Sequence, residues 1–399
     1  MHGKIFGINI YRSSRLCDMK SVKEITVFCE QGDSAKLSTW SNVPYFLTKA
    51  LLDRGIKVNR VDLSPKANIL HKIVYKLWNA FVKGVLRGRW CATYRRSRLY
   101  FFLSELKIKR SVRRYPDADI LLFTSFSYPV RKISAKPVVI FCDWTLEYDC
   151  RFFQGRAPES LPASEKAFIR RQDKCMETAD FVVSLFPGVA EYLKSRYANP
   201  NIFYLGNVVN ALYEPAKELI REKESRCDIL FIGKKHYRKG AEELIDAFRT
   251  VREKSPEARL HIVGMPRGMF GALPEGVECY GYLAKESPSQ CEKYYELLSK
   301  CRLFINTTPK WGAFSASVEA MYYFTPVILT PYSEFVKTFG DEISFGMYHT
   351  DGANLAGEIE TMLSDEGFSR KAVSAHEAVA SMTWDNFVKR LLDITETGR

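Results

Sequence analysis

No Cys-x-x-Cys pair occurs in this chain, and no histidine lies close to any of its ten cysteines, although there are six histidines in all. Zinc ligands come as closely spaced Cys and His pairs, and disulfide frameworks as clustered cysteines in short chains, so neither is expected. Several cysteines sit inside apolar runs instead, Cys29 in ITVFCE and Cys142 in VVIFCDW, where a reduced thiol behaves as a small hydrophobe. A reducing, cytoplasmic setting is expected. No uncharged apolar run approaches the roughly 18 residues of a membrane span. The opening MHGKIFGINIYRSSR has too short an apolar core for a signal peptide. Low-complexity tracts and short-period repeats are also missing, and global disorder is not expected.

What is present is a globular composition, 46% hydrophobic and 26% charged, over 399 residues. That length suits two domains better than one core. The net charge of +13 is concentrated: between Ala67 and Arg114 stand thirteen bases, among them Lys72, Lys76 and Lys83, against the single acid Glu105. Within this block Ile69, Ile73, Leu77, Phe81 and Val85 recur every fourth residue, and Leu70, Val74, Trp78, Val82 and Leu86 repeat the pattern one place on. Such spacing makes a wide apolar stripe on a helix. Two readings stay open: the stripe packs on the N-terminal sheet with solvated lysines beside it, or the helix lies in a membrane interface with its bases on anionic headgroups. Aromatics interleaved with the bases, Trp90 and Tyr94 for example, also suit a nucleic-acid surface, but the rest of the chain reads as an enzyme and no nucleic acid is expected.

Apolar strands alternate with helical stretches along the whole chain. ITVFCE, IKVNRVDL, DADILLFTS, KPVVIFCD and ADFVVSLF predict strands in the first half, with the helical NVPYFLTKALLDRG closing at Gly55. CDILFIG, ARLHIVG, RLFIN and PVILT restart the pattern, with helices between them. The expected class is α/β, two Rossmann-like domains with parallel, doubly wound sheets. We expect an acceptor domain over 1–210, a donor domain over 211–375 and a terminal helix over 376–399 that could cross back to the first domain; the helical pattern itself runs from Ser374 to Ile394.

In open parallel sheets ligands bind beyond the carboxyl ends of strands. After DILFI comes GKKHYRKG, where Gly233 opens a loop bearing Lys234 and Lys239. Positive charge and free amides there suit a departing diphosphate, or the loop is simply solvated. After ARLHIV, Gly264 and Met265 allow a tight turn near a ligand. After RLFIN comes TTPKWGAFSASVEAM, in which Ser315 to Ser317 open a helix with Glu319 in its first turn. Glu319 either stabilises that helix end or accepts ribose hydroxyls. In the first half Gly32 and Asp33 follow the first strand. Asp143, at a strand end, either caps a turn or orients an acceptor hydroxyl, and Trp40, Asn42 and Tyr45 are further acceptor-side candidates. Asp117 and Asp119 form a D-x-D pair, but one that precedes its strand, so no metal is expected.

The ordered series FIG-K-x4-K-G, LIDAF, LHIVG, TPKWGAF, VEAM and TPVILT resembles the C-terminal domain of the retaining glycosyltransferases of family four, from about Asp228 to Pro331. TWSNVPYFLTKALLDRG and ADFVVS are more loosely similar to their N-terminal domain. The resemblance implies a GT-B fold, two parallel sheets facing a central cleft, with a nucleotide diphosphate sugar as donor and no cofactor or metal. It implies Lys234, where the family usually has arginine, and Lys239 on the diphosphate; Gly32, Gly233, Gly264, Met265, Trp311, Gly312, Phe314, Ser315, Ala316 and Glu319 around the donor; Asp33, Trp40 and Asn42 toward the acceptor; and Asp143 beside the reaction. Glu319 matches the second glutamate of the family's E-x7-E motif, while Trp311 stands in place of the first. The expected activity is sugar transfer with retention to a glycan or lipid-linked acceptor, in polysaccharide or glycoconjugate synthesis, by a cytoplasmic protein that segment 67–114 could hold peripherally on the inner face of an anionic membrane. The competing readings are a catalytically degenerate GT-B partner subunit, suggested by Trp311, and a nucleic-acid-binding protein.

Overall fold

The computed structural model describes residues 21–65, 69–84, 94–128, 133–308, 314–350 and 352–397. It divides into two units: one runs to Asn207 and takes in the segment from Trp384, and the other is Val208–Thr383.

The first unit is built on a six-stranded parallel sheet, in spatial order β2-β1-β3-β4-β5-β6. Its strands are β1 (Glu24–Cys29), β2 (Lys57–Asp62), β3 (Ile120–Phe123), β4 (Val138–Cys142), β5 (Phe181–Ser184) and β6 (Ile202–Tyr204). The central strands ILLF, VVIFC and FVVS are apolar on both faces because helices cover both faces of a parallel sheet. The edge strand β2, KVNRVD, alternates exposed and buried residues instead. The connecting helices are α1 (Val43–Asp53), α2 (Ile69–Gly84), α3 (Arg98–Arg114), α4 (Ala163–Thr178) and α5 (Pro187–Arg196).

The second unit repeats the plan with order β12-β11-β10-β7-β8-β9. Its strands are β7 (Asp228–Ile232), β8 (Arg259–Val263), β9 (Val277–Gly281), β10 (Leu303–Asn306), β11 (Val327–Leu329) and β12 (Gly346–Tyr348). Its helices are α6 (Leu219–Glu224), α7 (Arg238–Lys254), α8 (Pro288–Lys300), α9 (Ser315–Tyr322), α10 (Ser333–Phe339), α11 (Leu355–Leu363) and α12 (Phe368–Ala380). Phe231, Leu244, Phe248, Leu260, Ile262 and Ile305 form the core between sheet and helices.

Each sheet reverses its winding once. In the first the reversal lies between β1 and β3, which are hydrogen-bonded neighbours; in the second it lies between β7 and β10. At such a switch the loops leaving two adjacent strands part to opposite faces and leave a crevice at the carboxyl ends.

The expected single helix from Ser374 to Ile394 is two helices. Phe368–Ala380 ends before Ser381, and α13 (Trp384–Thr397) begins a new course in the first unit. There Arg54 pairs with Asp385 at 2.7 Å and Phe387 packs on Phe141, with ring centroids 5.4 Å apart. β6, β9 and β12 carry no strand signal in the sequence, and all three lie at sheet edges.

Candidate active site

In the second unit the two loops at the switch belong to β7 and β10. β7 runs into Gly233 and Lys234, then a tight turn over Lys235–Tyr237, and α7 starts at Arg238. Lys239 is therefore in the first turn of a helix and not in the loop where the sequence pattern puts it. Lys234 and Lys239 are both exposed, and neither has an acidic partner among the described residues; Lys234 Nζ lies 5.4 Å from the centroid of the Tyr282 ring. A lysine at a helix N-terminus is unfavourable for the helix itself, since the dipole there is already positive. An anion bound at the same end removes that penalty.

Glycines let these loops crowd together. At Gly240 a Cβ would stand 2.4 Å from Thr308 Oγ1, so α7 packs directly on the end of β10. Thr308 is buried and its hydroxyl has no partner among the described residues. Thr308 opens the TPKWGAF segment but is not among the site residues expected from the sequence; it places a polar atom at the switch. Gly264 has φ +100, and a Cβ there would lie 2.4 Å from the carbonyl oxygen of Gly233. Gly264→Ala should cost about 1–3 kcal/mol through backbone strain and overpacking, read as a lowered melting temperature.

Other donor-side residues fall in varied places. Met265 is fully buried in the core, main chain included, and its carbonyl accepts from Gly281 N at 3.2 Å. Phe314 is also buried, packed edge-on against Phe335 at 5.2 Å between centroids. Ser315 is exposed and Ala316 partly so, at the start of α9, whose N-terminus has no side-chain cap. Trp311 and Gly312 lie outside the described residues.

Glu319 sits in the second turn of α9, not the first. It is buried, and its Oε1 accepts from Lys285 Nζ at 2.5 Å and from Tyr295 at 3.3 Å, while Oε2 accepts from Tyr294 at 2.8 Å. Lys285 also donates to the carbonyl of Asn210 at 3.1 Å and lies 4.6 Å from the Tyr294 ring centroid. Lys285 could not be foreseen, because it stands 34 residues away in a loop with no motif.

In the first unit Gln31 and Thr124 clasp across the switch: Gln31 donates to the Thr124 carbonyl at 3.0 Å and accepts from its hydroxyl at 2.9 Å. Gly32 and Asp33 follow, and Asp33 holds its own loop, accepting from Ala35 N at 2.9 Å and, through its carbonyl, from Thr39 Oγ1 at 2.6 Å. Trp40, Ser41 and Asn42 have φ of 38, 54 and 71, three consecutive non-glycine residues in the left-handed region. Each such residue costs about 1–3 kcal/mol, and strain of this kind collects where a loop is held for use. Asn42 donates to the Leu37 carbonyl, which helps to fix the turn. Tyr45 follows within α1, packed edge-on against Phe46.

The strained turn aims Trp40 at Asp143. Trp40 Nε1 donates to Asp143 Oδ2 at 3.3 Å, joining two residues singled out from sequence. Asp143 does not cap the helical turn that follows; Thr145 does, accepting from Tyr148 N at 3.2 Å. Burial pushes the Asp143 carboxyl up to about 7, against which the Trp40 bond acts only weakly. Glu30, at the end of β1, is also raised by burial, with Ser125 opposing. Asp119 is engaged at the other end of the sheet, where it accepts from Lys23 N at 2.8 Å and Glu24 N at 2.9 Å at the start of β1.

The raised Asp143 pKa has a signed consequence. Between about 4 and 7 the folded protein holds a proton that the unfolded chain, with an ordinary aspartate near 3.9, has lost. Stability from this group is present below about pH 4 and is lost as pH rises through 7, by no more than about 4 kcal/mol. Asp143→Asn should therefore melt higher than the wild type at pH 8.5 and lose that advantage at pH 4.5, in parallel thermal scans.

The arrangement defines a class. Residues 226–365 match the family described as glycosyl transferases group 1. No curated protein sequence matches the chain. Among solved structures, the sucrose-phosphate synthase of Thermosynechococcus elongatus superposes with a TM-score of 0.64 at 15% identity, over 93% of this chain and 98% of that one. WaaG, a glycosyltransferase involved in lipopolysaccharide biosynthesis, gives 0.62 at 14% identity over 93% and 99%. Anabaena HepE in complex with UDP-glucose gives 0.58 at 15% over 94% and 100%. At these identities the likeness is one of fold: the chain has the GT-B architecture of two Rossmann-like domains. Family match and fold together support glycosyl transfer as its activity.

Proposed function

We propose that the chain transfers a sugar from a nucleotide diphosphate donor, held by the second unit, to a glycan or lipid-linked acceptor held by the first, with retention of anomeric configuration. The observation that carries this reading is the β7–β10 switch, where two exposed lysines, a helix start and a buried hydroxyl, none with an acidic partner, side-chain cap or hydrogen-bond partner among the described residues, converge on one end of a parallel sheet. That chemistry suits a pyrophosphate.

In the reaction the bond between the anomeric carbon and the diphosphate oxygen breaks as an acceptor oxygen bonds to the same face. The acceptor proton passes to the departing phosphate oxygen. Lys234, Lys239 and the amides at Ser315 and Ala316 stabilise the charge that grows on the diphosphate. Asp143, poised near 7 and oriented by Trp40, holds the acceptor hydroxyl. HepE in complex with UDP-glucose and WaaG of lipopolysaccharide synthesis support a UDP-sugar donor and a polysaccharide or glycoconjugate product by analogy of fold.

A second reading, a GT-B subunit without transfer activity of its own, draws on Trp311 and on the engagement of Glu319 by Lys285. Calorimetry with nucleoside diphosphates, followed by a screen of nucleotide sugars for donor hydrolysis, separates the two. Saturable binding with hydrolysis of one donor supports the enzyme, and absence of both supports the subunit.

A further inference from the structure

Helix α2 turns only one of its faces to the rest of the first unit. His71 is buried and its Nδ1 meets the Tyr94 hydroxyl at 2.9 Å. Tyr75 and Trp78, four and seven residues on, pack against the same Tyr94 ring at 5.8 and 6.2 Å between centroids. An aromatic seam thus holds the helix; of the repeating apolar stripe it includes Trp78, but not the row from Ile69 to Phe81. Ile69 is 75% exposed, Ile73 51%, Leu77 64% and Phe81 48%. These exposures turn that row of the stripe outward, whereas Val74, Trp78 and Val82 of the second row are half-buried. At about 100° per residue Ile69 and Ile73 lie opposite His71 and Leu77 and Phe81 run down one flank, with the exposed Lys72 and Lys76 along the other border.

Charge decides what covers the stripe. α2 has no acidic residue, so a second copy would bring lysines to lysines. The Tyr94–Arg96 turn that carries α2 also contributes Arg96 to a cavity of about 460 Å³ between α3 and α4. Arg98, Lys109, Arg170 and Lys174 line it without acidic partners among the described residues, while Arg96 pairs with Glu165 and Arg171 with Glu105, the one acid of the lining. An apolar stripe bordered by bases and set next to a cationic cavity matches a surface that is apolar within and anionic at its rim. We propose that α2 lies in the interface of an anionic bilayer, with Ile69, Ile73, Leu77 and Phe81 immersed at the headgroup boundary and Lys72 and Lys76 on lipid phosphates. This goes beyond the transfer reaction and would place the acceptor-side unit at a membrane.

Co-sedimentation of the full chain with vesicles of phosphatidylcholine, with and without about 30% phosphatidylglycerol, tests it. The expected result is binding that is at least about tenfold tighter to the anionic vesicles and weakens with salt. Ile73→Glu with Leu77→Glu should lower it at least about tenfold, and Lys72→Gln with Lys76→Gln should remove the preference for anionic lipid. Both pairs are exposed, so unchanged melting temperatures would show that folding is intact. Wild-type protein left in the supernatant, equal binding by the glutamate variant, or a lipid-free dimer that this variant dissolves would overturn the proposal. Nucleoside diphosphate binding by the same variant reports separately on the donor site.

Discussion

Lys239→Ala should lower kcat for sugar transfer on the order of 10² to 10³-fold, equivalent to about 3–4 kcal/mol of lost transition-state stabilisation. The size follows from where the side chain sits. Lys239 stands in the first turn of α7, exposed and without an acidic partner among the described residues, so its charge is not spent on the fold. The negative charge that it would meet grows as the diphosphate departs, which makes the interaction stronger in the transition state than in the ground state. Donor KM should therefore move less than kcat. Stability should move the other way: removing a cation from a helix N-terminus relieves a few tenths of a kcal/mol, so the variant should melt no lower than the wild type. Lys235→Ala, at an exposed position in the tight turn just before α7, is the control and should leave both quantities near their wild-type values. Full turnover in the Lys239 variant, measured with a donor that the wild type uses, would remove the lysine from the mechanism.

Much of this was legible in advance because strands buried on both faces announce themselves. VVIFC and DILFI are unbroken apolar runs, and a parallel sheet covered by helices requires such runs. IFY and GMY are short edge strands, and VECYG is largely half-exposed; no apolar run marks them, and only pairing with a neighbour reveals them. The lysine loop was visible as a motif, yet its division between turn and helix depends on Gly240 lying against Thr308, a contact between residues 68 positions apart. The direction of the α2 stripe was undecidable from periodicity. Apolar residues fill most of that helix, and the choice of inward face is made by Tyr94, which belongs to another turn and takes His71 in preference to Ile73.

The same limit applies most sharply to Glu319, whose surroundings predict the largest effect on stability. Lys285 and Glu319 form an ion pair with side chains only 8% and 5% exposed, and in such surroundings either charge alone is expensive. Glu319→Leu should destabilise the second unit by about 3–5 kcal/mol, because it leaves the Lys285 ammonium buried with one carbonyl and two tyrosine rings for company. Adding Lys285→Met should return most of that loss in urea titrations, although the Tyr294 and Tyr295 hydroxyls lose Glu319 as their acceptor, Tyr295 keeping only its bond from Leu212 N at 2.9 Å, and this holds the double variant about 1–3 kcal/mol below the wild type. The double variant also separates structure from function. A carboxylate offers about four acceptor positions, and three are already taken by Lys285, Tyr294 and Tyr295. A ribose diol needs two, so nucleotide binding through Glu319 requires Lys285 or Tyr295 to give way. If the folded double variant binds a nucleoside diphosphate as tightly as the wild type, Glu319 serves the fold alone; a loss of tenfold or more would mean that the carboxylate leaves Lys285 for the ribose.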